Sequence, residues 1–394
     1  MKRAKFDSGA VLLGLIVLVA AGVSVFLYMQ VRTDKVTSVL DEKKEVRVLF
    51  VVADGDKPIF TNAFLYNPTT RRAALFDIPG NVGSLITSLN RVDRIDVLYK
   101  KGRVDEYKKK IESLLNVTIP FYWVMSPREL GQITDLAGGL SMFLPNAVND
   151  TAGASITLLP AGNVVLDGAK VQTYLSYGES QNQNIDRFEH ERKIMQAFLR
   201  QLGQNASFLT NVRVLPYLMS RINTNMDSRS VSAFIREISH MDERVVSQRV
   251  LGDLKSVEGT AGTEKLLFPY FEGQLLKDAV RQVQSSLSNQ DVAFTDVSSM
   301  TVQILNGTAT PGLAARTKEL YQSYGFQNVL VGNADSTNIA KTEIIDHKGN
   351  QPAAQRVAEI IRAKNIVREP PDPQNTNVDV TVILGNDFDG WYVK

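Results

Sequence analysis

The 394-residue sequence contains no cysteine, which excludes disulfide bonds, thiol nucleophiles and thiolate metal sites. Histidine is scarce as well, and the three residues His190, His240 and His347 are too widely spaced to form a zinc-ligand pattern. The sequence also lacks a large excess of charge of either sign, because 44 basic and 42 acidic residues leave a formal net charge of +2. A nearly neutral chain lacks the electrostatic footprint of a nucleic-acid-binding protein. We therefore expect no nucleic acid partner.

Familiar catalytic signatures are absent from the sequence too, since it has no G-x-S-x-G elbow, no P-loop and no H-E-x-x-H motif. What remains is the composition of a globular protein, with 44% hydrophobic and 22% charged residues. A chain of this length buries sizeable cores and divides into two or three domains.

One long uncharged segment stands near the N-terminus. Gly9 to Met29 comprises 21 residues without a charge, and a helix rising ~1.5 Å per residue would cross a hydrocarbon core of ~30 Å. The apolar run continues beyond the small residues Ala20 and Ala21, so a retained anchor fits better than a cleaved signal peptide. We therefore predict a cytoplasmic tail at 1–8 and a single transmembrane helix at 9–29. Basic residues flank both ends, so local charge leaves the orientation open.

The segment after the anchor has the pattern of β-structure. Val46 to Ala53 is a run of apolar, largely β-branched residues, which is typical of a buried strand. Ala63 to Tyr66 and Ala73 to Ile78 flank the turn-forming residues Asn67 to Thr70, so we predict a strand, a turn and a strand. Farther on, apolar residues at helical spacing predict an amphipathic helix within 104–115.

A second helix is predicted to begin near Asp186, where Asp186 and Glu189 have the spacing of an N-cap and N3 pair. Its buried stripe would consist of Phe188, Met195, Phe198 and Leu202. Arg187 lies in the first turn, where free backbone N–H groups favour an anion. Two roles for this cation remain open: contact with a bound anion, or a surface ion pair with Asp186 or Glu191.

The C-terminal part has its own alternation of strands and helices. The region from Ser207 to Leu287 is predicted to be helical with breaks, and Glu258 to Thr263 to be a loop. Beyond a polar boundary at Ser285 to Ser299, the pattern predicts a small α/β sandwich that folds alone, with helices on one face of a sheet. Its predicted strands are Thr301 to Leu305, Asn328 to Gly332, Thr342 to Asp346 and Val378 to Leu384, and its predicted helices are Gly312 to Tyr324 and Gln351 to Ala363.

Longer motifs resemble a known family. VQILNGTATPGLAARTKEL (Val302 to Leu320) and DVTVILGNDF (Asp379 to Phe388) resemble the LytR C-terminal domain. Upstream, YNPTTRRAALFDIP (Tyr66 to Pro79) and the stretch from Leu114 to Val148 resemble the LytR-CpsA-Psr domain. The resemblance implies an α/β protein with a LytR-CpsA-Psr-like mixed domain at 46–290, best matched over 46–202, and a LytR C-terminal domain at 300–390. It also implies that the globular part lies outside the cytoplasmic (inner) membrane, on the extracytoplasmic or periplasmic side.

Active members of this family are understood to transfer a glycopolymer from a polyprenyl pyrophosphate lipid to the cell wall, using clustered arginines, carboxylates and a divalent metal. The sequence departs from that pattern, since the family's I-P-R-D segment is matched by Ile78-Pro79-Gly80-Asn81 and its arginine-aromatic-arginine run by Ser176-Tyr177-Gly178. The resemblance retains Asp54 as a carboxylate and possible metal ligand, Arg187 as the first arginine of its helix, and His190 in place of the second. These three residues are the candidate sites for lipid phosphate, and the pattern predicts a decayed active site.

The resemblance, together with the departures from the family pattern, is compatible with three functions. The favoured one is a membrane-anchored binding or scaffolding factor in cell-envelope assembly, a pseudoenzyme whose partners are the membrane, a polyprenyl-phosphate-linked glycan or peptidoglycan, and envelope proteins bound through the C-terminal domain. The alternative is an active phosphotransferase with a rearranged site, which would require Mg²⁺. The third, transcriptional regulation, is opposed by the near-neutral charge and the lack of a DNA-binding motif.

Overall fold

The computed structural model describes residues 35–42, 44–144, 147–150, 157–176, 187–242, 245–250, 252–259, 262–288, 300–368, 377–388 and 390. The predicted span 9–29, the N-cap Asp186 and most of the predicted boundary before residue 300 lie outside these residues. No helix within the described ranges is both long enough and apolar enough to cross a membrane.

The first part of the described chain combines one large sheet with smaller hairpins and surrounding helices. Its strands are β1 (Val46–Asp54), β2 (Lys57–Asn67), β3 (Arg72–Asp77), β4 (Gly83–Ile86), β5 (Arg91–Arg94), β6 (Phe121–Met125), β7 (Leu140–Leu144), β8 (Val148–Asp150), β9 (Thr157–Leu159), β10 (Gly162–Leu166), β11 (Asn223–Thr224), β12 (Val245–Arg249), β13 (Gly252–Gly259) and β14 (Gly262–Pro269). Its helices are α1 (Lys35–Asp41), α2 (Asp105–Leu115), α3 (Pro127–Leu136), α4 (Gly168–Ser176), α5 (Arg187–Gln204), α6 (Ala206–Leu209), α7 (Leu215–Met219), α8 (Ser228–Ile238) and α9 (Gln274–Ser288). Short 3-10 helices occupy Thr87–Leu89, Ile95–Leu98 and Tyr270–Gly273.

The central sheet has the strand order β11-β6-β1-β2-β3-β12. β1 runs antiparallel to β2 and parallel to β6, while β3 runs antiparallel to β2 and parallel to β12. Both faces of β1 are buried, which explains why its sequence is continuously apolar rather than alternating. The strand, turn and strand predicted from Ala63 to Ile78 are confirmed as the β2–β3 hairpin. The side chain of Asn67 closes its turn by accepting hydrogen bonds from the backbone N–H groups of Thr69 and Thr70.

Two separate cores cover the two faces of this sheet. On one face, aromatic side chains form a dense cluster in which the rings of Phe50, Trp123 and Phe234 lie within 6.3 Å of one another. Three of the four predicted stripe residues of α5 join this core, since Met195, Phe198 and Leu202 are buried there, while the side chain of Phe188 lies outside what the structure describes. On the opposite face, α2 and α9 pack against alternate residues of β1, β2 and β3. The sheet is therefore a rigid middle layer from which side chains at the strand ends can be positioned.

The prediction that Ser207 to Leu287 is helical with breaks is wrong for residues 245–269. The described residues in this range form the edge strand β12 and the paired strands β13 and β14. The predicted loop Glu258 to Thr263 is strand at its two ends, where Glu258 pairs with Thr263 and Gly259 with Gly262, and residues 260–261 lie outside the described residues. β12 forms because it can pair in parallel with the edge of β3. This partner strand lies far away in the sequence. Strand formation of this kind depends on tertiary pairing more than on local propensity.

The C-terminal module contains β15 (Thr301–Asn306), α10 (Leu313–Ser323), β16 (Asn328–Asn333), β17 (Glu343–Asp346), α11 (Gln351–Ile360), β18 (Ile366–Arg368) and β19 (Val380–Leu384). Its sheet has the order β16-β15-β19-β17-β18. Both helices share a core with Val302, Ile304 and Val382, which project from the same face of the sheet. The predicted sandwich with helices on one face is thus confirmed, while the three-residue strand β18 was too short to predict.

Helix α9 joins the two parts of the chain by contributing to both of their cores. Leu275 and Ala279 pack into the core of the C-terminal module, whereas Leu276 and Val280 pack under the central sheet. The hydroxyl of Tyr270 also hydrogen-bonds to Glu319 on α10. The helix therefore belongs structurally to both parts.

Because helix α9 contributes to both cores, we predict a difference in stability between two excised fragments. A fragment that starts at Tyr270 and retains α9 should be more stable than one starting at Met300 by at least about 2 kcal/mol, because only the former keeps Leu275 buried. Urea denaturation of both fragments measures the difference. In the longer fragment, Leu275→Ala should lose most of this gain and Leu276→Ala should not. Equal stability of the two fragments would contradict the prediction.

Candidate active site

A groove of about 810 Å³ opens where β1, β3 and β12 end and β2 begins. The β13–β14 hairpin and the first half of α5 form its sides, through Leu254, Leu267 and Glu191. Its charged lining consists of Asp54, Lys57, Asp77, Arg94, Asp96, Glu191 and Arg249. Four carboxylates and three cations therefore meet at one end of the central sheet.

Strand register places part of this charge in a row. Asn62 on β2 lies opposite Asp77 on β3, and Asp77 lies opposite Arg249 on β12. The amide of Asn62 donates to the carboxylate of Asp77 at 3.4 Å, and Asp77 is only 6% exposed. The side chains of all three residues point towards the face covered by α5. The sheet thus fixes an acid and a base side by side at the groove.

A second acid and base pair forms the wall near the 3-10 helix at Ile95–Leu98. The guanidinium of Arg94 donates two hydrogen bonds to the carboxylate of Asp96, both at 2.6 Å. Glu264 on β14 lies 3.7 Å from the same guanidinium. Burial raises the pKa of the Asp96 carboxyl above its ordinary value, although Arg94 opposes this rise. The bidentate geometry orients Arg94 and holds its charge at the groove.

The Arg94–Asp96 pair also accounts for the glycine in Ile78-Pro79-Gly80-Asn81. A Cβ atom at position 80 would collide with the Asp96 carboxylate oxygen Oδ2. Any larger side chain at this position must therefore displace Asp96, which is buried and bonded to Arg94. The charge absent from position 80 is matched by a guanidinium that reaches the groove from another segment of the chain.

The candidate residues from the sequence are distributed unevenly around the groove. Asp54 lines it from the end of β1 and is exposed. Arg187 is the first residue of α5, as predicted, but its side chain lies outside what the structure describes. The ring of His190 stacks on Tyr174 at a centroid distance of 4.3 Å, and among the described residues Glu191, not His190, lines the groove.

The described residues hold no preformed cluster of metal ligands. No group of three or more histidine, aspartate or glutamate side chains in the described ranges is close enough to hold an ion. A Mg²⁺ ion at Asp54 would therefore depend on water and on the phosphates of a ligand for its remaining coordination. What the groove offers is hydrogen-bond donors and three cations set among four carboxylates.

Sequence reasoning missed Lys57, Asp77, Arg94, Asp96 and Arg249. A signal was present for two of them, since R-V-D-R-I-D at 91–96 alternates charges at strand spacing. For Arg249 no local signal exists, because its proximity to Asp77 depends on pairing between β3 and β12.

Comparison with known proteins finds a family match for each of the two parts of the chain. A sequence model of the LytR_cpsA_psr family matches residues 66–267, and one described as LytR cell envelope-related transcriptional attenuator matches residues 299–388. The polyisoprenyl-teichoic acid–peptidoglycan teichoic acid transferase TagU of Bacillus licheniformis is 20% identical over 211 residues, which cover 52% of this chain and 67% of TagU. The cell wall biosynthesis protein LcpA of Corynebacterium glutamicum is 21% identical over 304 residues, covering 74% of this chain and 56% of LcpA.

The fold agrees with these matches. The crystal structure of B. subtilis TagV aligns with a TM-score of 0.53 at 15% identity, over 62% of this chain and 98% of TagV. At this identity the likeness concerns the fold alone.

Proposed function

Because the chain belongs to the LytR-CpsA-Psr family, we propose that its groove binds the phosphate groups of a cell-wall glycopolymer. In this proposal the chain is a binding or assembly factor and does not transfer the polymer. Residues 9–29 anchor it in the cytoplasmic membrane, with the globular part on the extracytoplasmic side. The C-terminal module serves as an interaction domain for envelope proteins.

The observation that carries the proposal is the Arg94–Asp96 pair in the space beside Gly80. Lys57, Arg94 and Arg249 bring three cations to one groove, which suits a phosphate ester. A pyrophosphate leaving group makes a stronger demand, because it develops charge that closely placed free cations or a metal must stabilise. Here two donors of Arg94 are engaged by Asp96 and are not free to meet that charge. Binding without transfer therefore fits the groove better than catalysis.

The relatives indicate the chemical class of the ligand. TagU is named for moving teichoic acid to peptidoglycan, and LcpA for cell wall biosynthesis. A phosphate-bearing wall polymer is the ligand chemistry that suits both these names and the cations of the groove.

The test uses the full chain in detergent with two probes: polyprenyl pyrophosphate, and a soluble glycerol phosphate oligomer without a lipid. We expect saturable binding of one or both, with no phosphate release in the presence of Mg²⁺. The two probes separate a lipid-linked ligand from a wall-linked one. Phosphate release that is lost in Arg249→Glu would overturn the proposal in favour of the active phosphotransferase. Failure of both probes to bind would reject the ligand class.

Replacing Arg249 with alanine should weaken binding of the preferred probe by roughly tenfold to a hundredfold. This range corresponds to the ~1.5–3 kcal/mol typical of a charge-assisted hydrogen bond. Arg200→Ala is the matched control, because Arg200 is an exposed arginine at the far end of the same groove-lining helix, α5. Isothermal titration of both variants gives the comparison, and equal affinities would exclude Arg249 from the site.

Arg187 permits a separate prediction that distinguishes its two possible roles. If Arg187 contacts the bound anion, Arg187→Ala should also lower affinity about tenfold to a hundredfold while leaving thermal stability unchanged. A surface ion pair would be worth at most about 1 kcal/mol and would affect stability, not binding. Measuring affinity and melting temperature on the same variant separates the two outcomes.

A further inference from the structure

The end of the central sheet opposite the groove carries an exposed apolar surface. Helix α5 begins beside the groove and leads away from it to α6 and α7. There Phe208, Val212 and Tyr217 are 50%, 82% and 41% exposed. We call these three residues, together with the exposed Arg213, the α6–α7 surface. Val212 lies at the tip of a turn fixed by Asn211, whose side chain accepts a hydrogen bond from the backbone N–H of Arg213. The surface is thus presented by an ordered turn.

The segment of sequence that carries this surface has charge of one sign. Between Glu191 and Asp227 the sequence contains five basic residues and no acidic residue. Arg213 forms no ion pair within the described part of the chain. The guanidinium of Arg221 lies 4.7 Å above the ring of Tyr217. Within this segment, aliphatic, aromatic and basic side chains thus occur together without a carboxylate, a combination that favours an anionic interface.

The chain also reaches this end from the predicted anchor. Helix α1, the first described element, packs on α8 with Val36 fully buried. Helix α8 in turn contacts both α6 and α7. From Met29, the end of the predicted span, to Lys35 there are six Cα steps, which cover roughly 20 Å when extended. The α6–α7 surface is therefore held near the point where the chain would leave the bilayer.

We infer that the α6–α7 surface lies against the bilayer, with Phe208 and Val212 in the interfacial layer and Arg213 among anionic lipid headgroups. The inference rests on the anchor of the proposed function but not on the ligand of the groove. Burial of apolar side chains in the interface and attraction of arginine to anionic lipid act in the same direction. A tether of roughly 20 Å favours this contact because it keeps the surface at high local concentration over the membrane.

The experiment takes advantage of the absence of cysteine from the wild-type chain. Full-length Val212→Cys and Leu254→Cys are each labelled with an environment-sensitive fluorophore and reconstituted into vesicles of phosphatidylcholine with about one third phosphatidylglycerol, where anionic lipid supplies the attraction. Leu254 is the matched control, since it is 62% exposed but lines the groove at the other end of the sheet. At position 212 we expect a blue shift of the fluorophore emission and quenching by nitroxide lipids. At position 254 we expect neither effect.

Adding Arg213→Glu to the labelled Val212→Cys chain changes the charge by two and should lower the ratio of lipid-bound to free surface by roughly 25-fold, since each unit of charge near an anionic surface contributes about fivefold. Equal access of aqueous iodide to positions 212 and 254 would overturn the inference. Probe burial that persists in pure phosphatidylcholine and rises with protein density would assign the surface to a second protein copy instead. Extraction of the chain by alkaline carbonate would show failure of the anchor, which is a separate result.

Discussion

The Arg94→Ala variant is expected to be less stable than the wild-type chain by about 2 kcal/mol at neutral pH and to lose most of its phosphate binding. The substitution leaves the carboxylate of Asp96 buried at 6% exposure without the two hydrogen bonds that compensate its charge. The loss is smaller than for a fully buried pair, because Arg94 itself is one third exposed and partly screened by water. Thermal or urea denaturation measures the change.

The pH dependence of this loss has a definite sign. Burial already raises the pKa of Asp96 in the folded chain, and removal of Arg94 should raise that pKa further. A carboxyl whose folded pKa exceeds its unfolded value binds more protons when folded, so stability increases as the pH falls through the folded pKa. The difference in unfolding free energy between Arg94→Ala and the wild type should therefore become smaller as the pH is lowered from neutral to roughly pH 4, near the ordinary carboxyl range.

The double variant Arg94→Ala with Asp96→Asn serves as the control. It removes both the buried charge and its titration, so it should be more stable at neutral pH than Arg94→Ala alone and should lack the extra pH dependence. A constant stability gap across this pH range in the single variant would show that Asp96 is not the group responsible.

Restoring the family's I-P-R-D segment with Gly80→Arg and Asn81→Asp should destabilise the chain by about 2 kcal/mol or more, as overpacking of a filled site does. The arginine side chain would start where the Asp96 carboxylate already lies, so the Arg94–Asp96 pair would have to separate. Adding Arg94→Ala and Asp96→Ala to the restored segment should recover much of this stability, because it vacates that space. Urea denaturation of the double and the fourfold variants measures these two changes in stability.

The same pair of variants tests the proposal that the chain binds a phosphate without transferring it. Phosphate release that appears in the fourfold variant and not in the wild type would identify the Arg94–Asp96 pair as the feature that prevents transfer. Asn81→Asp alone is the matched control, because it restores one charge without occupying the space of Asp96. Full stability of Gly80→Arg in the presence of Arg94 and Asp96 would contradict the steric argument.

The sequence predicts those elements that depend on local pattern. β1, the β2–β3 hairpin, the stripe of α5 and the helices and longer strands of the C-terminal module follow from runs, turns and periodicity within about twenty residues. β12 and the β13–β14 hairpin do not, because β12 is stabilised by pairing with β3, which lies far away in the chain. The position of Arg94 at the groove could not be predicted for a related reason. Arg94 and Gly80 are separated in the sequence, and only the folded chain brings the Arg94–Asp96 pair beside Gly80.

The path of β1 through the domain has a consequence for how a ligand is delivered. The nine residues of this strand separate the entry of the chain, near α1, from Asp54 at the groove. At ~3.3 Å per residue the strand is about 30 Å long, so with the α6–α7 surface on the bilayer and β1 along the bilayer normal the groove would stand off from the membrane by up to that distance. A phosphate at the lipid surface could reach the groove only if its hydrocarbon chain were drawn outward, at a cost of ~0.8 kcal/mol for each CH₂ exposed to water. In the proposed function, a polymer strand already in the wall would meet the groove directly, and its repeated phosphates would let neighbouring units rebind before the strand diffuses away.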